Sequence, residues 1–308
     1  ELTWYLFRPI GPSLFRWKGE FSPSLRGPRV RGISEPFPLP STIAGALASV
    51  MWNPGSTYSS PLELLGSGFR MWGPVMYLRG SRQIVGVHVY PGRVLLLDPA
   101  GKTQELLNVA DMGLMIERIG IGLDLRKKTA EEGMMYSAAM FDLGGLAEKY
   151  RASVYGYVVR VDGLNVKIQS GTVVAFGGER RLAVIKELDG DDSKLLEDLV
   201  PRGKEDGKLV LASPAPLDDK DFESLANGIA GLSEGMDIVS NESCSRLYTA
   251  YLGSIGLGYD MAKNVRRPVY PALMPGSCID KAEGDRLVRV NDELIGCCWG
   301  SLVRLKDI

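Results

Sequence analysis

The sequence predicts an α+β protein of about two domains. Three observations lead there. Short apolar segments bounded by Gly and Pro outnumber the helical patterns, a strand–helix–strand–strand order occurs twice, and the pattern restarts at Ala152. The domains are accordingly expected at residues 1–150 and 151–308. This order favours α+β sandwiches over a doubly wound parallel sheet.

Leu2–Pro9 has the aromatic and aliphatic content of a buried strand, and a loop rich in Gly, Pro and Arg follows through Gly32. Glu35–Leu47 (EPFPLPSTIAGAL) then runs from an extended proline segment into a helix. Pro36, Pro38 and Pro40 each disfavour helical backbone in the residue before them. Ser41 is the expected N-cap, and Ile43, Leu47 and Val50 recur on one apolar face of a helix reaching about Trp52. Gly45 costs that helix roughly 1 kcal/mol relative to alanine, which suits a close approach by another backbone or a ligand. Free amides and the hydroxyls of Ser41 and Thr42 make the helix start a candidate anion site.

Asn53–Ser60 reads as a surface loop. Met71–Leu78, Ile84–Val89 and Val94–Leu97 read as strands, with a turn at Tyr90-Pro91-Gly92. Arg118–Leu125 alternates around glycines and leads into a basic turn. Met134–Phe141 fits strand or helix, and periodicity does not arbitrate. In the second half Val154–Val161 is a strong strand, and Val173–Phe176 and Leu182–Ile185 flank Gly177–Arg181 (GGERR) as a hairpin with arginines in its turn. Ser193–Leu199 and Asp219–Ile229 read as helices capped by Ser and Asp, with Asp189–Asp192 a solvated acidic loop before the first. Leu209–Ala212, Leu247–Leu252, Val269–Leu273, Leu287–Val290 and Leu302–Leu305 complete a strand-rich half.

Composition excludes several classes. The 308 residues are 45% hydrophobic and 24% charged, as expected of a soluble globular chain. No apolar run approaches the roughly 20 residues that span a bilayer. Leu2–Ile10 contains Arg8 and reads as a strand rather than a leader. A net charge of −1 argues against a globally basic nucleic-acid binder and leaves room for RNA along one face. Cys244, Cys278, Cys297 and Cys298 follow no CxxC spacing, so neither zinc nor any other cofactor is expected. Reduced cytosolic thiols are the default, with a disulfide open to a hyperthermophile.

Catalytic patterns are equally sparse. His88 is the sole histidine and lies in an alternating strand, so it reads as structural; one histidine cannot supply an acid–base pair. No GxSxG or GxxxxGK[ST] occurs, and Gly253–Gly258 (GSIGLG) departs from GxGxxG. Basic residues instead gather at glycine-flanked turns. These are Arg26, Arg29 and Arg31; Arg118 with Arg126, Lys127 and Lys128; Arg180 and Arg181; and Lys263, Arg266 and Arg267. Each cluster alone reads more often as solvated surface. Together they fit a phosphate backbone, where guanidinium forks match phosphate oxygens and glycines permit close approach.

Phe37–Leu47 (FPLPSTIAGAL), Arg118–Tyr136 (RIGIGLDLRKKTAEEGMMY), Gly177–Arg181 and Pro271–Ile279 (PALMPGSCI), in that order, resemble the RAMP superfamily of CRISPR effector proteins. Specifically, the chain resembles the Cmr-type (type III-B) subunit that caps the 5′ end of the guide RNA. The resemblance implies two packed ferredoxin-like domains of the RRM type with glycine-rich loops. It also implies a non-catalytic role: holding the repeat-derived 5′ handle of the crRNA, docking on the large polymerase-like subunit and meeting the first backbone subunit. The conventional RNP aromatic signature is absent, so bases stacked on an open sheet are not the expected mode.

By the same resemblance Ser41 and Thr42 contact the handle, Arg29 and Arg31 clamp beside them, and Arg118, Arg126, Lys127, Lys128, Arg180 and Arg181 frame the next two motifs. Lys263, Arg266 and Arg267 join the RNA-contact set, and Gly276 and Ser277 supply amides and a hydroxyl. Two alternatives stay open at this level: a RAMP endoribonuclease processing precursor crRNA through His88, and a metabolic α+β enzyme.

Overall fold

Trp4 and Leu6 point to one side of strand β1 (Thr3–Pro9), and Tyr5 and Phe7 to the other. Both sides are core, because the strand is central to a sheet covered on two faces. The computed structural model describes residues 2–17, 31–55, 60–124, 129–220, 251–256, 259–260, 265–266, 268–287, 290 and 293–306.

Chain order continues with β2 (Arg31–Ile33), α1 (Pro40–Met51), α2 (Pro61–Leu65), β3 (Arg70–Arg79), β4 (Gln83–Val89), β5 (Arg93–Leu97) and β6 (Thr103–Asn108). A long hairpin of β7 (Met115–Asp124) and β8 (Thr129–Phe141) leads to α3 (Leu143–Lys149). Next come β9 (Val154–Asp162), β10 (Val173–Ala175), β11 (Leu182–Glu187), α4 (Gly190–Glu197), β12 (Lys204–Leu211) and β13 (Ala215–Pro216). The remaining described elements are β14 (Leu252–Gly256), β15 (Tyr259–Asp260), β16 (Val265–Arg266), β17 (Val269–Leu273), β18 (Cys278–Glu283), α5 (Glu293–Cys298) and β19 (Leu302–Arg304).

Eight strands form the main sheet in the order β10-β11-β1-β9-β3-β4-β5-β6. Its centre, β11-β1-β9-β3, is antiparallel throughout. Counted along the chain, these four strands stand fourth, first, third and second. β1 therefore pairs on both sides with strands beyond residue 150, and a cut there would strip both neighbours from it. Smaller sheets are β18-β12-β19, β13-β17-β14 and β2-β8-β7, with the ribbon β15-β16. The architecture is α+β, as expected from the sequence.

One face of the main sheet packs against Ile43 and Leu47 of α1, Leu143 and Leu146 of α3 and Ile295 of α5. The other face meets Leu196 of α4, Val210 of β12 and Val303 of β19. Polar latches fix that second layer. The Trp72 indole donates to the Leu302 carbonyl at 2.7 Å, and the Ser301 hydroxyl donates to the Gly73 carbonyl at 3.0 Å and accepts from the Gly73 amide at 2.9 Å.

Several expectations are corrected. Asp189–Asp192 is not a solvated loop. Asp189 caps α4, its side chain accepting from the Asp192 amide at 3.0 Å, so the helix starts at Gly190 rather than Ser193. Asp192 itself is buried. Its Oδ1 accepts from the Tyr77 hydroxyl at 2.7 Å and Gln83 Nε2 at 3.1 Å. Its Oδ2 makes no hydrogen bond of good angle but lies 2.7 Å from Arg79 Nη1, so that contact is electrostatic. Burial first, and the bond to Asp192 second, push the Tyr77 hydroxyl far above its ordinary value, so it stays a donor.

Met134–Phe141 resolves as strand within β8. Of the strand expected at Leu287–Val290, the two described residues, Leu287 and Val290, lie outside any strand, and the Leu287 amide donates to the Gly300 carbonyl at 2.7 Å. Asp219 and Lys220 are helical, as expected for the start of a helix over Asp219–Ile229; the rest of that helix and most of the strand expected over Leu247–Leu252 lie outside the described residues. At Gly45 a built Cβ meets nothing within 4 Å, so no backbone among the described residues crowds it.

Gly45→Ala should therefore remove a helix-interior glycine without a clash and raise unfolding stability by about 0.5–1 kcal/mol, read by chemical denaturation. Asp189 yields a pH prediction. The Asp192 amide, joined by Arg79 and opposed by slight desolvation, holds its carboxyl below the usual carboxylate range. A lowered folded-state value contributes stability above the unfolded value that drains away as pH falls through the folded one. Between about pH 5 and pH 2 the wild type should lose more stability than Asp189→Asn, which keeps a good cap but does not titrate.

Candidate nucleic-acid interface

The extended segment before α1 presents a hydrogen-bonding problem. Proline carries no amide hydrogen, so residues 35–40 alternate donors with gaps and cannot pair as an ordinary strand. Their inward carbonyls still need partners. Three side chains supply them. The Ser34 hydroxyl donates to the Glu35 carbonyl at 2.8 Å, the Tyr157 hydroxyl to Pro36 at 2.6 Å and the Trp17 indole to Phe37 at 2.7 Å. Burial raises the Tyr157 hydroxyl well above its ordinary value, so it stays protonated as the donor this site requires.

The helix start differs from the expectation. The N-cap is Leu39 in extended conformation, Pro40 occupies the first helical turn, and no side chain caps it. The reason is local: proline presets the helical φ and has no amide to satisfy. The Thr42 and Ile43 amides turn back on the Leu39 carbonyl at 2.9 and 3.4 Å. Fewer amides than expected face outward, which removes much of the anion-site argument. Ser41 and Thr42 remain half-buried at the helix end.

The GGERR turn matches its prediction closely. β10 and β11 pair antiparallel on either side, with Ala175 opposite Leu182. The Arg181 amide donates to the Gly178 carbonyl at 3.3 Å, and Glu179 and Arg180 sit at φ of 56° and 53°. Two successive left-handed residues make the type I′ pattern, which asparagine and glycine favour. Here Glu and Arg occupy it, each against a steric penalty. Gly177 also has a positive φ, and a Cβ there would lie 2.8 Å from the Leu14 carbonyl and 3.0 Å from the Phe15 ring.

That contact joins the motifs. The Gly178 amide donates to the Leu14 carbonyl at 2.9 Å, and the Glu35 amide donates to the Phe15 carbonyl at 2.8 Å. Leu14 packs with Ala138 and Met140 of β8. β2 runs parallel to β8, setting Arg31 beside Ser137, while β7 sets Arg118 opposite Ala138. The proline segment, the long hairpin and the arginine turn thus converge on residues 13–17.

Arg118 and Arg180 are exposed on this assembly. Arg181 is half-buried, and its Nε is shut from solvent without a hydrogen-bond partner. No ion pair to these three arginines occurs among the described residues. Arg29, Arg126, Lys127, Lys128, Lys263 and Arg267 lie outside the described residues. Arg266 lies in β16, a two-stranded ribbon with β15.

Gly276 and Ser277 do not present groups to a ligand, and that expectation is corrected. Ser277 is fully buried; its hydroxyl donates to the Met274 carbonyl at 2.8 Å and accepts from the Tyr251 amide at 3.0 Å. Its own amide donates to Met274, and the Gly276 amide donates to Leu211 at 2.8 Å. Gly276 is needed because a Cβ at its φ of 90° would lie 2.8 Å from Val89 Cγ1. This loop packs against the end of β4.

His88 is fully buried, with its Nε2 3.1 Å from Glu35 Oε2 and Phe37 stacked on its ring. A separate open cleft of about 720 Å³ includes Trp4, Glu197 and Arg202. Glu197 there is already bonded to Trp4 and Arg160. Among the described residues no group of three or more His, Cys, Asp or Glu is placed to hold a metal ion, and no helix is long and apolar enough to cross a membrane. Sequence reasoning missed Glu35, Trp17 and Tyr157 as organisers of the site. The signal lay in the prolines, whose carbonyls require donors from elsewhere.

Substituting the turn as Glu179→Asn with Arg180→Gly should relieve both left-handed penalties and stabilise the chain by about 1 kcal/mol, measured as a shift in denaturant midpoint.

Comparison with known proteins places this geometry in a family. The profile described as CRISPR-associated protein (Cas_Cmr3) matches residues 94–279. The chain is similar to the CRISPR system CMR subunit Cmr3 of Saccharolobus solfataricus, with 26% identity over 318 aligned residues that cover 94% of this chain and 90% of that protein. It shares its fold with a chain of the type III-B Cmr-beta complex bound to cognate target RNA (TM-score 0.56, 22% identity, 90% of this chain and 86% of that one). The same complex with target RNA and AMPPnP matches at TM-score 0.56 and 21% identity, covering 90% and 85%.

Proposed function

Because this chain belongs to the CRISPR-associated Cmr3 family of type III-B systems, we propose that it is the non-catalytic subunit that grips the 5′ handle of the crRNA. In this reading it works in the cytoplasm within a ribonucleoprotein complex. It bridges the large polymerase-like subunit to the first backbone subunit. The observation that carries the proposal is the convergence of the proline segment, the β7–β8 hairpin and the GGERR turn on residues 13–17. That convergence gathers Arg118, Arg180 and Arg181 on one assembly of a chain whose net charge is −1.

Arginine forks suit phosphate oxygens, and none of these three forms an ion pair among the described residues. Arg31, with its backbone registered beside Ser137, and Ser41 and Thr42 at the helix end complete the proposed surface. Arg29, Arg126, Lys127, Lys128, Lys263, Arg266 and Arg267 remain candidates by motif. The antiparallel β11-β1-β9-β3 order, with α1 between β1 and β3, supports a ferredoxin-like unit. The proposed division into 1–150 and 151–308 must accommodate β1 pairing across it. The buried, engaged His88 supports the non-catalytic reading.

Arg180→Ala with Arg181→Ala should weaken binding of an RNA carrying the repeat-derived handle by about 10–100-fold. It should also lower the slope of log affinity against log salt by about 1.4, the value for two single-strand phosphate contacts. Unchanged affinity and slope would remove the turn from the interface. Cleavage of repeat RNA by the purified chain, abolished by His88→Ala, would overturn the non-catalytic role.

A further inference from the structure

We infer that Glu35 and His88 are a positioning pair that sets where the RNA-facing end of α1 stands; this rests on the functional reading above. Glu35 Oε2 accepts from His88 Nε2 at 3.1 Å and from the Gly92 amide at 2.8 Å. Both donors belong to the β4–β5 hairpin, so one carboxylate pins the start of the proline segment to that hairpin. Its side chain is only 14% exposed, which protects the bonds from competing water.

The surroundings of His88 show what the imidazole contributes. Its ring stacks on Phe37 at 5.1 Å and meets the Trp17 edge at 4.5 Å and Tyr90 at 6.1 Å. Nδ1 is buried without a partner. The tautomer that fits carries its proton on Nε2, facing the carboxylate, and leaves an acceptor lone pair rather than an unpaired N–H inside the cage. A phenyl ring would fill the same aromatic space with no orphan atom. The imidazole therefore adds one thing to this position: the Nε2–H bond to Glu35.

Displacement at Glu35 is carried forward with little loss. Pro36, Pro38 and Pro40 each fix φ, so few soft torsions separate Glu35 from the first turn of α1. Ser41 and Thr42 follow at once. The hairpin end is itself anchored, since the Tyr90 amide donates to the Pro275 carbonyl at 3.0 Å and Gly276 abuts Val89. The pair thus ties the proline motif to the late glycine loop through β4, which gives that loop a role without any contact to RNA.

The test uses the full chain and two RNA oligonucleotides of equal length, one carrying the repeat-derived handle and one scrambled. His88→Phe keeps the cage and deletes the donor; Glu35→Ala deletes the acceptor; Glu35→Gln keeps an oxygen able to accept both bonds. Well below their melting midpoints, His88→Phe and Glu35→Ala should each lose about tenfold in handle affinity, while Glu35→Gln stays within about threefold of wild type. Amide exchange at Gly92 should quicken in Glu35→Ala and not in Glu35→Gln. Affinities of His88→Phe and Glu35→Ala equal to wild type, or falling only with the unfolded fraction, would overturn the inference. If the arginine-turn variant loses affinity while these two do not, the inference fails alone. A wild-type chain without preference for the handle overturns the functional reading and this inference together. Should His88→Phe fail to fold, the two Glu35 variants decide the outcome.

Discussion

Prolines at positions 36, 38 and 40 impose the constraint on which the rest of the site depends. They hold the backbone extended and remove its amides, yet leave carbonyls that must be satisfied once buried. The solution draws on three separate parts of the chain: Ser34 nearby, Trp17 on the preceding segment, and Tyr157 from the middle of β9. Bringing Tyr157 to Pro36 requires β9 beside β1, which is the centre of the main sheet. The same placement sets residues 13–17 between the proline segment and the arginine turn. A hydrogen-bonding deficit in six residues is thus coupled to the topology of the whole domain.

Charge is distributed by a related logic. Several ion pairs gather at the second face of the sheet, as with Arg79, Asp189 and Asp192, or Arg160 with Glu197 and Asp285. Arg118, Arg180 and Arg181 have no such partners among the described residues. A chain of net charge −1 still carries Arg118 and Arg180 exposed on this assembly, with Glu117 and Glu179 beside them. Glu179 and Arg180 in left-handed conformation show that the turn is not optimised for its own stability, which is the usual signature of a functional constraint.

Much of this was legible in the residues. The apolar content of Leu2–Pro9, the strands around Tyr90-Pro91-Gly92 and the hairpin flanking Gly177–Arg181 follow from local composition and turn chemistry. The errors have a common cause. Ser41 is the expected cap of α1, but Pro40 begins the helix and moves the cap two residues earlier, to Leu39. Asp189–Asp192 looked like solvated acid, yet Tyr77 and Gln83 lie more than a hundred residues away in sequence and bury Asp192. Gly276-Ser277 looked like an open loop offering donors, and every one of those donors is used inside the fold.

The sequence alone determined which segments extend, where they turn, and that arginines sit at glycine-flanked bends, because each property depends on neighbours within a few positions. It also determined the family, through motifs in a set order. Only the tertiary structure decided which polar groups are spent and which are presented. Tyr157 meets Pro36 across 121 residues and Tyr77 meets Asp192 across 115, distances over which no local pattern constrains a partner. Whether a hydroxyl, amide or guanidinium is free to meet a ligand is a property of packing, since burial and hydrogen bonding are fixed by what the fold sets beside it.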